Sequence, residues 1–528
     1  MADKENLVTI EEGKRFSQCY LWQMQLDYFI AAGPKAWAGT VPFYITSNPS
    51  IGHCYAEVVM AYILDRVQSK NYDPEQPFYL LELGTGSGKF SYYTMKRVFE
   101  VQKELKLTEV KIVYVMSDFT ASNLEFWRAQ PQLEEYLQAG QLDFAIFNVF
   151  EDKEITLSES KTVLSAGKVN NPMMAFANYV FDTIPNDIFK VKDKKLQEAK
   201  VHLALDKKHL DETNKVKSGV DIGEVDVTLN FSDAKADIYA DPLIDPILTE
   251  YANNLGDTHI TFPTAGFTLI KTLMSISNNQ LLLISTDKGY NFLSEIENRG
   301  EPRVVSHGSF SMMVNYHALA RFVENNGGEC WHQKIREGIK TTVFLVGDHF
   351  KDLTFTYKAI KDNVDDFGPG DFFNYHRHLR TTRDECELKT IVSHMNFSHW
   401  DPRIFDLFVH KMVKELRKAP SNLVDALKEG VDLIIDNIYE MPGMHETYFN
   451  IAWFLHVLNR SKEAISYYEK FIGMHKKDFT VMYNMALCYA AVEDDPKALE
   501  CFKEALKFDS SSKDAKEWIS WLEEKIDK

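Results

Sequence analysis

A chain of 528 residues is too long for one hydrophobic core and predicts about two or three domains. Its net charge of −18 argues against nucleic acid or an anionic membrane surface as the main partner. No secretory leader, transit peptide or run of 18 apolar residues is visible, and the six cysteines form no CxxC pair. We therefore expect reduced thiols, no metal site, no membrane span and a cytoplasmic location.

The first predicted elements are helices. Aromatic and aliphatic residues recur at helical spacing over residues 16–32 and again over 55–68. We expect the segment 1–75 to form a helical or extended cover of the domain that follows. That domain begins with a buried strand near residue 78, which runs directly into a glycine-rich turn and a helix over 90–104.

The turn reads LELGTGSGK, and the spacing of its glycines ranks three cofactors. A phosphate-binding Walker loop fails because Leu83 and Phe90 occupy its first glycine and its hydroxyl position. A dinucleotide fingerprint fails at Lys89, where it needs a third glycine. The pattern GxGxG after an acidic strand end favours S-adenosylmethionine (SAM), and a turn without a ligand is the alternative. The candidate cofactor residues here are Glu82, Gly84, Thr85, Gly86 and Gly88.

Further strands are predicted at 111–116, 141–149, 172–180 and 281–285, with a closing antiparallel pair at 328–331 and 341–346. Strands alternating with helices in this way predict a doubly wound α/β sheet.

Ligands of such a sheet lie beyond the carboxyl ends of its strands, so the polar residues there are candidates. Asp118 can accept the ribose hydroxyls, or it can cap the helix predicted near residue 121. Asn148 can face the adenine. Asn178 and Asp182 lie where a methyl acceptor would meet the cofactor, and we predict that they are catalytic.

The order of these motifs resembles the MidA-like SAM-dependent methyltransferases. YITSNPSIG resembles that family's segment before the core, LELGTGSG resembles its glycine loop, and ANYVFDTIPNDIF resembles its ANEFFDALPVxxF. SFSMMVNYHALARFVENNGG resembles a further motif of the family near the end of the sheet.

The resemblance implies a Rossmann-like, seven-stranded methyltransferase domain over 76–350, with an insertion at about 190–260 that acts as a flap or substrate-recognition part. Mitochondrial members of the family assist assembly of respiratory complex I by methylating an arginine of a partner protein, so the resemblance implies transfer to a protein side chain. Tyr179 and Ser309 stand where the family has acids. These replacements leave open a second function, a methyltransferase-like scaffold for complex assembly.

The last third of the chain carries an internal repeat. After a linker or irregular cover at 351–400, the segment 401–528 is predicted to be helical, with repeats at 446–479 and 480–513. A shift of 34 pairs Asn450 with Asn484 and Tyr468 with Phe502, and this period resembles tetratricopeptide repeats. We expect an all-α repeat domain that holds a protein substrate or partner, and a purely structural tail is the alternative.

Overall fold

The computed structural model describes residues 6–37, 44–235, 237–302, 305–306, 309–334 and 338–527. The parts of the predicted 1–75 cover at 1–5 and 38–43 lie outside the described residues. The chain divides into two compact units, Met1–Phe373 and Asn374–Lys528.

The described strands belong to the first unit. They are β1 (Leu7–Arg15), β2 (Phe78–Glu82), β3 (Ile112–Asp118), β4 (Leu142–Ile146), β5 (Ile155–Thr156), β6 (Val163–Leu164), β7 (Met173–Phe176), β8 (Asp187–Lys192), β9 (Lys195–Asp206), β10 (Asp226–Asp233), β11 (Thr258–Phe262), β12 (Leu281–Tyr290), β13 (Val305–Ser306), β14 (Phe310–Ser311), β15 (Val314–Asn315), β16 (Glu329–His332) and β17 (Ile339–Val346).

Helices occur in both units. They are α1 (Leu21–Ala32), α2 (Pro49–Gln68), α3 (Lys89–Glu104), α4 (Ala121–Arg128), α5 (Pro131–Gln138), α6 (Asp245–Asn254), α7 (Thr264–Ile276), α8 (Leu293–Ile296), α9 (Tyr316–Asn325), α10 (Thr354–Ile360), α11 (Pro369–Thr381), α12 (Leu388–Phe397), α13 (Pro402–Leu416), α14 (Ser421–Asp436), α15 (His445–Val457), α16 (Ser461–Met474), α17 (Phe479–Ala491), α18 (Asp495–Phe508) and α19 (Lys513–Ile526).

The main sheet has the order β16-β17-β12-β7-β2-β3-β4, and the two-residue β15 pairs with β12. Strands β4, β3, β2, β7 and β12 run parallel, whereas β17 is antiparallel to both β12 and β16. The mixed α/β sheet and its antiparallel closing pair are as predicted from the sequence. Seven strands were expected, and the eighth is the short β15, which carries no sequence signal of its own.

Both faces of this sheet are covered by helices. Leu81 and Leu283 point to one face and share a buried cluster with Phe267 of α7. Phe176 points to the other face, where its ring centroid lies 5.7 Å from that of Tyr55 in α2 and 5.8 Å from that of Phe90 in α3. Burial on both faces explains why β2 and β7 read as continuous apolar runs.

The chain order of the parallel strands reverses at the centre of the sheet. From β2 the chain moves through β3 to β4 on one side, and it then returns to β7 on the other side of β2. The loops that follow β2 and β7 therefore diverge and leave a crevice at the carboxyl ends of the strands. Such a switch point is where ligands bind in open α/β sheets.

The insertion forms a second sheet together with the amino-terminal strand. Its five strands follow the order β1-β9-β8-β11, with β10 also paired to β9, and all of these pairings are antiparallel. A two-residue turn at Asp193 and Lys194, both with positive φ, joins β8 to β9. The first strand of the expected cover therefore belongs to the same sheet as the expected insertion, because β1 pairs along β9, whereas α2 of the cover packs on the main sheet.

The second unit contains the repeats. Helices α15 and α17 begin 34 residues apart, at His445 and Phe479, and α16 and α18 begin with the same offset, at Ser461 and Asp495. Helix α19 begins at Lys513, 34 residues after the start of α17, and covers the end of the array as a single helix. The helical repeat pattern predicted from the sequence is therefore present.

The segment 351–400 differs from the sequence expectation of an irregular linker. It forms α10, a π-helical stretch over Lys361–Asp366, α11 and α12. The glycines and proline near residue 369 suggested a break, but Pro369 is the first residue of α11. Proline is favoured at that position because its missing N–H has no partner there in any helix.

Candidate functional site

A cavity of about 520 Å³ lies at the carboxyl ends of the central strands. Its walls include Gly84 after β2, Asp118 at the end of β3, Asn148 after β4 and, after β7, residues 179–180 and 182–185. Several residues between 11 and 33 close it from the amino-terminal side. The cavity therefore occupies the switch point of the sheet, and its volume is in the range that accommodates a cofactor-sized ligand.

The glycine turn has the left-handed backbone that its sequence predicts. Gly84, Gly86 and Gly88 have φ values of 58°, 59° and 81°, and Gly88 is the N-cap of α3. The Gly86 N–H donates to Asp118 Oδ2 at 3.1 Å, and Trp127 Nε1 donates to the Gly86 carbonyl at 2.9 Å. These bonds hold the turn against β3 and α4.

Only part of the predicted cofactor set lines the cavity. Among the described residues, the lining includes Gly84, Asp118 and Asn148 but not Thr85, Gly86 or Gly88. The Thr85 N–H instead donates to the Ser117 carbonyl at 2.9 Å. Gly86 and Gly88 thus shape the turn, whereas Gly84 lines the cavity.

Glu82 supports the turn from inside the protein. Its Oε2 accepts a hydrogen bond from Tyr114 at 2.8 Å and another from the hydroxyl of Ser91. Burial raises the pKa of this carboxyl to about 8, although both hydroxyls act in the opposite direction. Glu82 is not among the described residues that line the cavity, so it supports the loop rather than contacting a ligand.

Asp118 lines the cavity and binds the residue before α4, and its ribose role stays a prediction. Its Oδ1 accepts from the N–H and the hydroxyl of Thr120, the residue before α4, and its Oδ2 accepts from Gly86. Burial raises its pKa, and the side chain of Asn123 opposes this shift. With the Asn123 side chain these bonds account for the roughly four acceptor sites of a carboxylate, so a ligand hydroxyl would have to replace one of them.

Asn148 stands beside aromatic side chains at the same end of the cavity. Its Oδ1 accepts from the Phe150 N–H at 3.0 Å, and its own N–H donates to Asp152. Phe119, Phe147 and Phe150 also line the cavity. The sequence analysis missed these phenylalanines, although each lies within two residues of a predicted site residue.

Asp182 lines the cavity and forms a buried acid pair with Asp287. The Asp182 N–H donates to Asp287 Oδ2 at 3.1 Å, and the two side chains are hydrogen-bonded. Burial raises the pKa of both carboxyls, and the charge of Asp182 raises that of Asp287 further. Asp182 Oδ1 is buried and has no hydrogen-bond partner. The sequence showed Asp287 at a strand end but gave no reason to pair it with Asp182.

Asn178 is placed differently from the sequence expectation. Its Oδ1 accepts from the Tyr55 hydroxyl at 2.7 Å and from the Thr286 N–H at 3.2 Å. Among the described residues it does not line the cavity. Its side-chain carbonyl thus binds Tyr55 of α2 and Thr286 of β12 in the interior of the protein.

The amino-terminal wall is tied to the loop that carries Asp182. The side chain of Gln25 in α1 is buried, donates to the Thr183 carbonyl at 2.9 Å and accepts from the Phe310 N–H at 2.7 Å. The Met312 N–H donates to the Asp182 carbonyl at 2.9 Å. The sequence predicted α1 but gave no sign that it closes a binding cavity.

The described ranges contain neither a metal-binding cluster nor a membrane-spanning helix. No cluster of three or more His, Cys, Asp or Glu side chains suited to a metal occurs there. Across the same ranges, no helix is both long and apolar enough to cross a bilayer.

Comparison with known sequences identifies one family in the second unit. Residues 445–478 match the model of the tetratricopeptide repeat family, which coincides with α15, α16 and the turn after them. No curated protein matches the chain.

Several solved structures resemble parts of the chain. A COG1565 superfamily protein from Burkholderia thailandensis is 13% identical with a TM-score of 0.38, and the match covers 65% of this chain and 90% of that one. A second COG1565 member from the same organism, bound to S-adenosylhomocysteine, is 12% identical with a TM-score of 0.40, covering 63% and 88%. MamA 41-end from Desulfovibrio magneticus RS-1 is 14% identical with a TM-score of 0.24, covering 30% and 87%.

Proposed function

We propose that the chain is a SAM-dependent methyltransferase that acts on a side-chain nitrogen of a protein, arginine being the acceptor that the family resemblance implies. The observation that carries this proposal is the composition of one cavity. At the carboxyl ends of the strands, the walls of the cavity bring together the glycine turn at Gly84 and the two acids Asp118 and Asp182.

The residues at one end of the cavity fit SAM. Gly84 lines the cavity and has no side chain, so its backbone is open to close approach of a ligand. Asp118 would accept ribose hydroxyls, and Asn148 with the neighbouring phenylalanines would hold the adenine. SAM carries no phosphate, so the absence of a Walker or dinucleotide pattern is expected for this ligand.

Asp182 would serve the acceptor end. Bound SAM supplies a methyl group on a positively charged sulfur. As that methyl passes to the acceptor nitrogen, the sulfur keeps the bonding electron pair and the displaced proton goes to the Asp182 carboxylate. Asp287 and the main chain of Met312 fix the position of Asp182, so most of the catalytic effect would come from orientation and proton acceptance.

The repeats would recruit the protein substrate. Tetratricopeptide arrays expose a concave surface and carry no chemistry of their own, and the second unit presents two complete repeats followed by α19. Holding a partner near the catalytic unit would raise its effective concentration at the cavity. We keep a cytoplasmic location as part of this proposal.

A second candidate is a scaffold that assists complex assembly without methyl transfer. It is favoured by Tyr179 and Ser309, which both line the cavity at positions where the resembled family has acids. Asp182 in the cavity wall favours the enzyme, because methyl transfer to nitrogen needs a proton acceptor near the acceptor group.

Isothermal titration calorimetry with SAM, and with NAD as a control ligand, tests the proposal. We expect saturable binding of SAM at one site and none of NAD. A folded protein that fails to bind SAM would exclude the enzyme and leave only the scaffold. SAM binding without methylation of any protein in an extract of the source organism would favour a scaffold that retains the cofactor.

A further inference from the structure

One lysine in the wall of the cavity has no partner among the described residues. Within the same ranges, the charged side chains of the lining are Glu11, Lys14, Asp118, Asp182 and Lys288. Lys14 Nζ forms an ion pair with Glu11 Oε1 at 2.7 Å, and Asp118 is bound to the glycine turn. Lys288 donates a hydrogen bond from its main-chain N–H, but its ammonium has no hydrogen bond or ion pair with any described residue. This cation is therefore available to a ligand.

The main chain of Lys288 is held in place near the carboxyl end of β12. It is paired with Ile339 of β17, and its N–H donates to Asp287 Oδ1 at 2.7 Å. The next residue, Gly289, is paired with Val314 of β15. Asp287 and Gly289 are buried, whereas Lys288 between them is exposed. A fixed backbone thus presents an accessible ammonium at the cavity wall.

The order of the strands places Lys288 at the acceptor end of the cavity. Strand β12 lies next to β7, whereas β2, β3 and β4 follow on the other side of β7. Neighbouring strands are about 4.8 Å apart, so β12 is roughly 14 Å from β3 and roughly 19 Å from β4. In the proposed function, SAM extends along β2, β3 and β4, and Asp182 after β7 meets the acceptor. Lys288 therefore lies beyond Asp182, on the side of the acceptor.

The charges at this end of the cavity favour an additional anion. Burial raises the pKa of the Asp182 carboxyl, and the hydrogen bond with Asp287 and the charge of Lys288 oppose this shift, so the ammonium lies near the proposed proton acceptor. Bound SAM would bring a second positive charge, its sulfonium, to the same end. Asp182 loses its own charge when it accepts the proton. Because like charges repel at close range, an acceptor that carries a carboxylate is then favoured over one that does not.

Resting on the proposed methyl transfer, we propose that Lys288 selects acceptor segments that carry an Asp or Glu side chain close to the methylated residue, because its ammonium forms an ion pair with that carboxylate. The ion pair neutralises Lys288 beside the sulfonium and holds the acceptor segment against the wall. The methionyl carboxylate of SAM offers the same chemistry from a different source, and the experiment distinguishes the two.

Three substitutions of Lys288 test the ion pair in the full-length chain. Lys288→Ala removes the charge, Lys288→Glu reverses it and Lys288→Arg keeps it, and Lys168→Glu is the control, because Lys168 is an exposed lysine outside the cavity lining. Transfer of tritiated methyl from SAM is measured at increasing concentrations of protein extract from the source organism. We expect the apparent KM for the acceptor to rise about fivefold in Lys288→Ala and roughly 20-fold in Lys288→Glu, with Lys288→Arg and Lys168→Glu close to wild type. An unchanged KM in Lys288→Glu would overturn the inference.

Two further measurements separate the ion pair from other roles of Lys288. SAM affinity by calorimetry should stay within about twofold of wild type, and a tenfold loss in Lys288→Ala would assign the ammonium to the carboxylate of SAM and overturn the inference. Loss of the charge also raises the pKa of Asp182, so the rates are compared again at pH 9, where that carboxyl is ionised in each variant. A defect that disappears at pH 9 would mean that Lys288 acts through Asp182, and the inference would again be wrong.

A degenerate peptide library centred on arginine identifies the acidic residue. One flanking position at a time is fixed as glutamate, alanine or lysine. We expect wild type to label the glutamate pool most strongly at one or more positions, and Lys288→Glu to prefer the lysine pool there. Equal labelling of the pools, or the same preference in both proteins, would overturn the inference and leave the methyl transfer standing. No label in any peptide or extract protein, with SAM bound, would overturn the proposed methyl transfer itself, and the inference would fall with it.

Discussion

Replacing Asp182 with asparagine isolates the proton acceptor of the proposed reaction. The substitution is nearly isosteric and leaves the main-chain bonds to Asp287 and Met312 in place, at 3.1 and 2.9 Å. The fold and the SAM site should therefore persist. Loss of a general base commonly costs a factor of about 10² to 10⁴, which corresponds to roughly 3 to 5 kcal/mol in the barrier.

The pH dependence of the same variant gives an independent measure. Burial raises the pKa of Asp182 above its ordinary value of 3.8, and only the ionised form can accept a proton. The wild-type rate should thus rise with pH through that elevated pKa, and this rise should be missing in Asp182→Asn.

The assay is methyl transfer from tritiated SAM between pH 5 and 9, with calorimetry for SAM binding. Asp257→Asn is the control, because Asp257 is an exposed acid outside the cavity lining. Near-normal turnover in Asp182→Asn, or a pH profile identical to that of wild type, would remove Asp182 from the mechanism. A large loss of SAM affinity would place this residue in the cofactor site instead.

Three further changes probe the loop, its support and the repeats. Gly86→Ala strains a residue with φ 59° beside the cofactor turn and should weaken SAM binding at least tenfold, whereas Gly140→Ala, at φ 67° with open space around it, should not; equal affinities would dissociate the turn from the site. The pKa of Glu82 is about 4.5 in the unfolded chain and about 8 in the folded protein, so its stabilising contribution is full below pH 4.5 or so and is lost as the pH rises through about 8. In urea unfolding, Glu82→Gln should therefore gain stability relative to wild type from pH 5 to 8. A stability difference that does not change with pH would contradict the assignment of Glu82 as a buried acid. Removing residues 446–528 should keep SAM binding but abolish recovery of the partner protein in a pull-down, and undiminished recovery would reduce the repeats to a structural tail.

Local signals carried much of the sequence prediction. Strand β2, the glycine turn and α3 follow one another without a gap, and the period of 34 reproduces in the helix starts at His445 and Phe479. Each of these patterns depends on residues close together in the chain, so a reading of the sequence finds them.

The features that the sequence did not predict depend on contacts between residues far apart in the chain, or on the side to which a side chain points. No neighbour of Asn178 in the sequence shows that its side-chain carbonyl accepts from the Tyr55 hydroxyl. The backbone conformation after β7 decides whether this side chain points to the interior or to the cavity. The pairing of Asp182 with Asp287 joins residues 105 positions apart. The proline at 369 was interpreted as a break, although the same residue is suited to begin a helix.

The pairing of β1 with β9 has a consequence for biosynthesis. Leu7 lies opposite Asp206 and Arg15 opposite Lys200, a separation of roughly 190 residues. At typical rates of translation, about 10 to 40 s pass between the emergence of these two segments from the ribosome. During that interval the apolar side chains of β1 and α1 have no native surface to cover them, and they are exposed to chaperones and proteases. The wall that closes the cavity is thus made first and assembled only after the insertion has been synthesised.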